Sequence, residues 1–130
     1  MASYKKCETC HARFIPTNAR QKFCKDTCAN RSKKVIKRYG IKPSEIHALY
    51  TRQGGKCKIC GTLGDVHELG FRRYKSLHID HAHETGEVRG LLCHSCNVGL
   101  GHFFDNEETL RLAIKYLKKA RRKYHEKKTN

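Results

Sequence analysis

Residues 77–97, LHIDHAHETGEVRGLLCHSCN, decide the fold, because metal-ligand side chains are dense here and the local patterns are clear. Apolar and polar residues alternate from 77 to 80, the period of a half-buried strand. Residues 84–87 (ETGE) supply a turn with glycine, and residues 88–92 read as a second strand. Residues 98–101 can begin a short helix. The sequence therefore predicts a β-hairpin followed directly by a helix.

Four close cysteine pairs surround and precede this hairpin: Cys7-x2-Cys10, Cys24-x3-Cys28, Cys57-x2-Cys60 and Cys93-x2-Cys96. A short spacer lets a tight knuckle direct both thiolates at one ion, and four pairs make two tetrahedral Zn²⁺ sites. Disulfides are the alternative, but they need an oxidising compartment, and the start MASYKKCETC has no apolar secretion signal. We therefore predict a reduced, cytoplasmic protein with two structural zinc ions.

The chain is small and strongly basic. It has 130 residues, no Trp, 38% hydrophobic residues and a mean hydropathy of −0.76, so its core needs reinforcement by metal or disulfides. Twenty-eight Lys and Arg residues against 12 acidic ones give a formal charge of +16, far more than solubility requires. This excess indicates a polyanionic partner, DNA in the first place. We expect no membrane partner, since there is no apolar run of 18 residues, and no small-molecule cofactor.

We divide the chain into three predicted pieces. Residues 1–34 form a four-cysteine zinc finger with Phe14 and Phe23 as a minimal core, and its lysines and arginines contact phosphate. Residues 35–124 form the domain that carries the chemistry. Residues 125–130 form a frayed basic tail.

Helices are predicted on both sides of the hairpin. One or two short helices fall within residues 35–52, with Pro43 in a first turn, Lys42 or Ser44 near the cap, and Gly54-Gly55 after the end. A later helix is predicted to begin with Asp105 as cap and Glu108 three positions on. Its apolar stripe is Leu110, Ala113, Ile114, Leu117 and Ala120, and the rest of its surface is basic.

Three side chains of the hairpin and its exit suit phosphodiester hydrolysis. Asp80 offers a hard oxygen ligand for Mg²⁺ or Mn²⁺, and Asn97 can add a neutral carbonyl oxygen. His81 can take a proton from water. Alternatively, the histidines at 78, 81, 83 and 94 complete a zinc site or only decorate a turn, although four nearby cysteines already supply a full zinc ligand set.

Residues 39–117 resemble the recombination endonuclease VII family, within the HNH or His-Me finger (ββα-metal) nucleases. The resemblance rests on QGGKCKICG at 53–61 and on HIDHAHETGEVRGLLCHSCNVGLG at 78–101. It implies a small zinc-stabilised α+β fold, with a ββα-metal core flanked by helices and, in this chain, an added N-terminal zinc finger. The first four cysteines resemble short zinc ribbons of phage and bacterial DNA-binding proteins, so we expect the cytoplasm of a bacterium or a phage-infected cell.

The resemblance also implies roles at matching positions. His81 would be the general base, with Asp80 and Asn97 holding the catalytic Mg²⁺ or Mn²⁺. His83 would contact the scissile phosphate or the leaving group, and Arg89 would brace the hairpin or bind phosphate. The structural zinc ligands would be Cys57, Cys60, Cys93 and Cys96, and those of the N-terminal zinc Cys7, Cys10, Cys24 and Cys28.

The expected function is metal-dependent DNA endonuclease activity of a nicking, homing-type or branched-DNA-resolving kind. The family's junction-resolving member has a longer C-terminal region for dimerisation and branch binding, whereas this chain has one helix and a basic tail. Two alternatives stay open: a non-catalytic zinc-finger DNA-binding regulator and an RNA-binding accessory protein. A monomer and a homodimer are both compatible with the sequence.

Overall fold

The computed structural model of the chain describes residues 3–66 and 76–128 (the backbone alone at 123 and 125–128). Its elements are β1 (Lys5–Lys6), β2 (Arg13–Phe14), α1 (Asp26–Tyr39), α2 (Pro43–Arg52), β3 (Asp65–Val66), β4 (Ser76–His81), β5 (Val88–Cys93), α3 (His94–His102) and α4 (Glu107–Lys128). The predicted α+β class is confirmed. Residues 1–2, 67–75 and 129–130 lie outside the described residues, and with them the last two residues of the predicted basic tail.

The chain forms two units, Met1–Asn97 and Val98–Asn130. The first unit contains both cysteine sets and the hairpin. The predicted domain boundary at residue 34 falls inside α1, and the three-part division stays a prediction. Among the described helices, none combines the length and the apolar character that crossing a bilayer requires.

The predicted hairpin is confirmed as β4 and β5, which pair antiparallel in a three-stranded sheet of order β3-β4-β5. The short β3 adds to β4 in parallel. The register pairs Asp80 with Gly90 and His81 with Val88, so Arg89 is an extra residue opposite β4. Such a β-bulge redirects side chains and is frequent beside active sites.

The core lies between the sheet and α2. Ile46 of α2 and Leu77 and Leu91 of the hairpin are fully buried. The Gln53 side chain, just after α2, donates to the Leu91 carbonyl (2.9 Å) and accepts from the Leu91 amide (3.0 Å). One carboxamide thus satisfies the backbone of β5 as a neighbouring strand would.

The first helix begins earlier than predicted, at Asp26 instead of within 35–52. Its buried residues Cys28, Ser32 and Val35 recur at i, i+4 and i+7, so one face of the basic segment packs as a helix. In the finger, Phe14 and Phe23 are only half-buried, and the buried residues among those described are Cys7, Thr9, Cys28 and Ser32. The cluster of sulfurs, more than the two aromatic rings, forms this small core.

The second helix follows the prediction. Pro43 is its first residue, Lys42 is the N-cap, and the Lys42 amide donates to the Glu45 carboxylate at 2.7 Å. The helix ends at Arg52, before Gly54 and Gly55 in the left-handed region (φ 61° and 67°).

The prediction of Asp105 as the cap of the last helix is wrong. The Asn106 carboxamide oxygen instead accepts from the Thr109 amide at 2.8 Å. Asp105 is left-handed (φ 53°), whereas an N-cap residue needs extended backbone. α4 continues to Lys128, past the predicted fraying at 125, and Ile114 and Leu117 of its apolar stripe are more than half exposed.

Replacing Gly90 by Ala is expected to lower the free energy of unfolding by about 1–3 kcal/mol. An added Cβ would lie 3.0 Å from the Gln53 carboxamide oxygen and 3.1 Å from Lys58 Cδ. Gln53 would have to move by a few tenths of an ångström, which would weaken its hydrogen bonds to Leu91. The measurement is denaturant unfolding of the zinc-loaded protein. Gly99→Ala, whose Cβ would meet nothing within 4 Å, is the matched control, and equal stability of the two variants would contradict this packing.

Candidate active site and metal centres

The second cysteine set joins three elements at one point. Cys57 and Cys60 lie in a knuckle, Cys93 ends β5, and Cys96 lies in the first turn of α3. The sulfurs of Cys60 and Cys93 are 3.6 Å apart, and all four sulfurs lie within 4.8 Å of one another. The cluster therefore fastens the knuckle to the junction of hairpin and helix.

The N-terminal set is built in the same way. In each knuckle the first cysteine's amide donates to the carbonyl five residues on, which is Ala12 (3.0 Å) or Thr62 (2.8 Å). Its carbonyl accepts from the amide four residues on, at His11 or Gly61, and both of these residues are left-handed (φ 57° and 73°). The second cysteine pair of each set then leads into a helix. The chain therefore contains this arrangement of a knuckle, a second cysteine pair and a helix twice.

The spacing of the sulfurs suits a tetrahedral ion. Cys10 and Cys24 are 3.5 Å apart, and Cys24 and Cys28 are 3.7 Å apart. A tetrahedron with zinc–sulfur bonds of about 2.3 Å has edges of about 3.8 Å, whereas a disulfide brings two sulfurs to about 2.05 Å. All eight cysteines are free thiols. Each cluster can hold one metal ion.

Each cluster contains a cysteine whose thiol pKa is lowered and another whose thiol pKa is raised. The Thr62 hydroxyl and amide lower the pKa of the Cys60 thiol to about 6. Burial opposes ionisation of Cys7, but the amides of Cys10 and Cys24 lower its pKa to about 7. Burial, together with hydrogen bonds to neighbouring sulfurs, raises the pKa of Cys28 to about 12 and has the same effect on Cys96. Metal binding must therefore release protons from each cluster.

The N-terminal cluster packs against α2 through two histidines. The rings of His11 and His47 have centroids 3.4 Å apart, and His47 Nε2 lies 3.2 Å from the carbonyl of Thr9. Thr9 is fully buried, and its hydroxyl donates to the Cys28 carbonyl. Burial lowers the pKa of both histidines, which favours neutral, packed rings.

Asp80 is the buried acidic residue of the hairpin, with 7% of its surface exposed. The bulge carries Arg89 to it: Arg89 Nε donates to Oδ2 and a terminal nitrogen donates to Oδ1, both at 2.8 Å. We expected Arg89 to brace the hairpin or bind phosphate; its guanidinium contacts the candidate metal ligand.

His81 ends β4 and is half-buried, so its ring is within reach of solvent and of a substrate. The His83 ring lies 5.4 Å from it, and the Tyr39 ring 5.6 Å from it in an edge-on contact. Tyr39, the last residue of α1, was missed by the sequence analysis. His78 lies 5.7 Å from His94.

Asn97 is half-buried in the first turn of α3, directly after Cys96 of the second cysteine set. Because the cysteine cluster fixes the start of α3, it also fixes the position from which the Asn97 side chain extends. Asp80 and His81 lie at the end of β4, and Asn97 lies in the first turn of α3, the helix that directly follows β5.

A basic helix leads to this unit. The exposed cations of α1 are Arg31, Lys33, Lys34, Lys37 and Arg38, and Asp26 is its acidic residue. The Arg38 guanidinium lies 5.4 Å from the Tyr39 ring centre. Positive charge therefore extends along α1 up to the residue that contacts His81, an arrangement suited to a phosphate backbone.

The hairpin of β4 and β5 runs directly into α3, and four sulfurs lie at the junction, as the resemblance to metal-dependent nucleases predicts. The family model of recombination endonuclease VII matches residues 32–119, about two thirds of the chain. The chain therefore belongs to the recombination endonuclease VII family and is a DNA endonuclease.

Individual proteins are similar to this chain over most of its length. The gene 59 protein of Mycobacterium phage D29 is 35% identical over 129 residues, covering 88% of this chain and 74% of the relative. The gene 59 protein of Mycobacterium phage L5 is 33% identical over 127 residues, covering 87% and 73%. The solved beta-beta-alpha-Me type II restriction endonuclease Hpy99I has 29% identity and a TM-score of 0.45, with 90% of this chain and 66% of that chain covered.

We expect the purified protein to contain two tightly bound transition-metal ions, and Cys28→Ser and Cys96→Ser each to contain one. Each substitution removes one of four sulfurs from a separate cluster. Elemental analysis after extensive dialysis measures the content. In denaturant with a chelator and no reductant, the wild-type protein should release eight reactive thiols; fewer thiols together with absent metal would indicate disulfides instead.

Proposed function

We propose that the chain hydrolyses DNA phosphodiester bonds with His81 as general base and with a Mg²⁺ or Mn²⁺ ion held by Asp80 and Asn97. The observation that carries the proposal is a buried carboxylate, Asp80, directly before a solvent-reachable imidazole, His81, at the end of a strand. Burying a carboxylate is costly unless it is paired and hydrogen-bonded, as Asp80 is by Arg89, and a carboxylate kept in such a place beside an imidazole is a candidate functional group.

The donor chemistry fits a hard divalent cation. One carboxylate and one carboxamide offer oxygen ligands, and the remaining positions are left to water and substrate phosphate, as is usual for Mg²⁺. The cysteines are committed elsewhere, in clusters with sulfur spacings suited to zinc, and we propose that both clusters hold Zn²⁺. When bound, the oxygen-ligated ion would stabilise the charge that develops on the phosphate and the leaving 3′-oxygen.

His81 would remove a proton from the attacking water, so it must be neutral when water attacks. The edge-on contact with Tyr39 and the neighbouring His83 ring limit the orientations of its imidazole. His83 is exposed and would contact the scissile phosphate or the leaving group. In-line attack would leave a 5′-phosphate, as the family resemblance implies.

His81→Ala is expected to slow DNA cleavage by about 10²–10⁴-fold, the usual loss on removing a general base, while changing DNA affinity by less than about threefold. Nicking of supercoiled plasmid with Mg²⁺ or Mn²⁺ measures the rate, and a gel-shift titration measures binding. His102→Ala, which removes an exposed histidine of α3, is the control and should cut as the wild type does.

The same variant separates the enzyme from a non-catalytic DNA-binding regulator. A regulator would bind DNA with the same salt sensitivity but would show no metal-stimulated nicking that depends on His81. Cleavage by His81→Ala at the wild-type rate would refute the assignment of the base. A preference for RNA without cutting would indicate an accessory protein instead.

The substrate within DNA can be identified by comparing linear duplex, supercoiled plasmid and a synthetic four-way junction. We propose nicking of one strand by a single chain as the basal activity, since one chain carries one Asp80–His81 site. Mapping each cut at nucleotide resolution tests this. Paired cuts at equal rates on both strands would require two sites and hence a dimer.

A further inference from the structure

The bulge in β5 gives Arg89 a position that regular pairing would deny it. In an unbroken ladder Arg89 would face His81, and successive residues of a strand point to opposite faces of the sheet. The register instead passes from Asp80–Gly90 to His81–Val88, which leaves Arg89 as the extra residue. Its guanidinium then reaches both carboxylate oxygens of Asp80 at 2.8 Å.

The pair is partly shielded from water. The side chain of Asp80 is 10% exposed and that of Arg89 is 37% exposed. A two-pronged arginine–carboxylate contact fixes the orientation of the carboxylate and compensates its charge. Groups that hydrogen-bond a ligating carboxylate in this way commonly orient it and tune the metal.

Further positive charge lies close to the bulge. The Lys58 amine donates to the Arg89 carbonyl at 3.2 Å, and Asn97, the other proposed ligand, is neutral. A divalent cation that approaches Asp80 therefore meets a carboxylate already matched by a guanidinium, in a chain of formal charge +16. The missing negative charge can come from the phosphates of bound DNA.

We propose that Arg89 is a positioning residue that holds the Asp80 carboxylate and makes binding of the catalytic divalent cation depend on bound DNA. This inference rests on the proposed function, since it takes Asp80 as a metal ligand. Its consequence is that the enzyme binds the cation weakly when free, and that DNA and the cation each strengthen the binding of the other.

The test measures Mn²⁺ binding to the zinc-loaded protein, with electron paramagnetic resonance reporting the concentration of free Mn²⁺. The His81→Ala background keeps the DNA intact, and a titration of duplex DNA alone corrects for its own Mn²⁺ binding. In this background, duplex DNA should raise the Mn²⁺ affinity of the protein at least tenfold. If DNA does not raise the Mn²⁺ affinity in this background, the proposal is wrong, and no Arg89 variant is needed to show it.

Adding Arg89→Gln should tighten DNA-free Mn²⁺ binding by about tenfold. This is the effect expected from removing the repulsion between a unit charge and a divalent ion roughly 5 Å apart in water. In this variant, the increase in Mn²⁺ affinity caused by DNA should shrink to less than threefold. Arg89→Lys keeps the positive charge and should retain most of the increase in Mn²⁺ affinity caused by DNA. Lys118→Gln, which removes an exposed cation of α4, is the matched charge control and should leave DNA-free Mn²⁺ affinity unchanged.

Unchanged or weaker Mn²⁺ binding by Arg89→Gln would show that Arg89 only supports the hairpin. Asp80→Asn should abolish the tight Mn²⁺ site in every background, and its persistence would mean that the ion is held elsewhere. Failure of the proposed function is separate, because it would appear as normal cleavage by His81→Ala. Circular dichroism and zinc content establish that each variant is folded.

Discussion

The four sulfurs of Cys57, Cys60, Cys93 and Cys96 are the constraint on which the nuclease unit depends. They lie within 4.8 Å of one another and connect a knuckle, the end of β5 and the first turn of α3. A chain with this little apolar surface cannot fix such a junction by packing alone, whereas a tetrahedral ion can. Because Asn97 follows Cys96 directly, the same cluster that stabilises the fold also positions a proposed ligand of the catalytic ion.

The same construction appears a second time at the N-terminus, with a different consequence. There the knuckle has His11 where the other has Gly61, and the His11 ring packs on His47 of α2. This module lies mostly before the family match, which begins at residue 32, inside α1. α1 begins within the N-terminal cluster and ends in contact with His81. The added finger thus extends the nuclease by a rigid, basic helix that can follow a phosphate backbone towards the site.

Charge connects binding to chemistry. A protein of formal charge +16 attracts DNA and repels free divalent cations, which agrees with our proposal that bound DNA helps to complete the catalytic ion site. The Asp80–Arg89 pair adds to this repulsion of cations at the site itself, because the guanidinium donates to both oxygens of the buried carboxylate.

Several features of the fold can be predicted from local patterns in the sequence. Alternation at 77–80 predicts β4, the cysteine spacing predicts two clusters, and Pro43 predicts the start of α2. The contacts between strands and helices become visible only in the folded chain. They are the bulge that brings Arg89 to Asp80 and the contact of Tyr39 with His81. A third is the pairing of the Gln53 side chain with β5. The folded chain also shows that Asn106 caps α4. These depend on register, backbone angles and neighbours distant in the chain, and residue types with local spacing carry no information about such pairings.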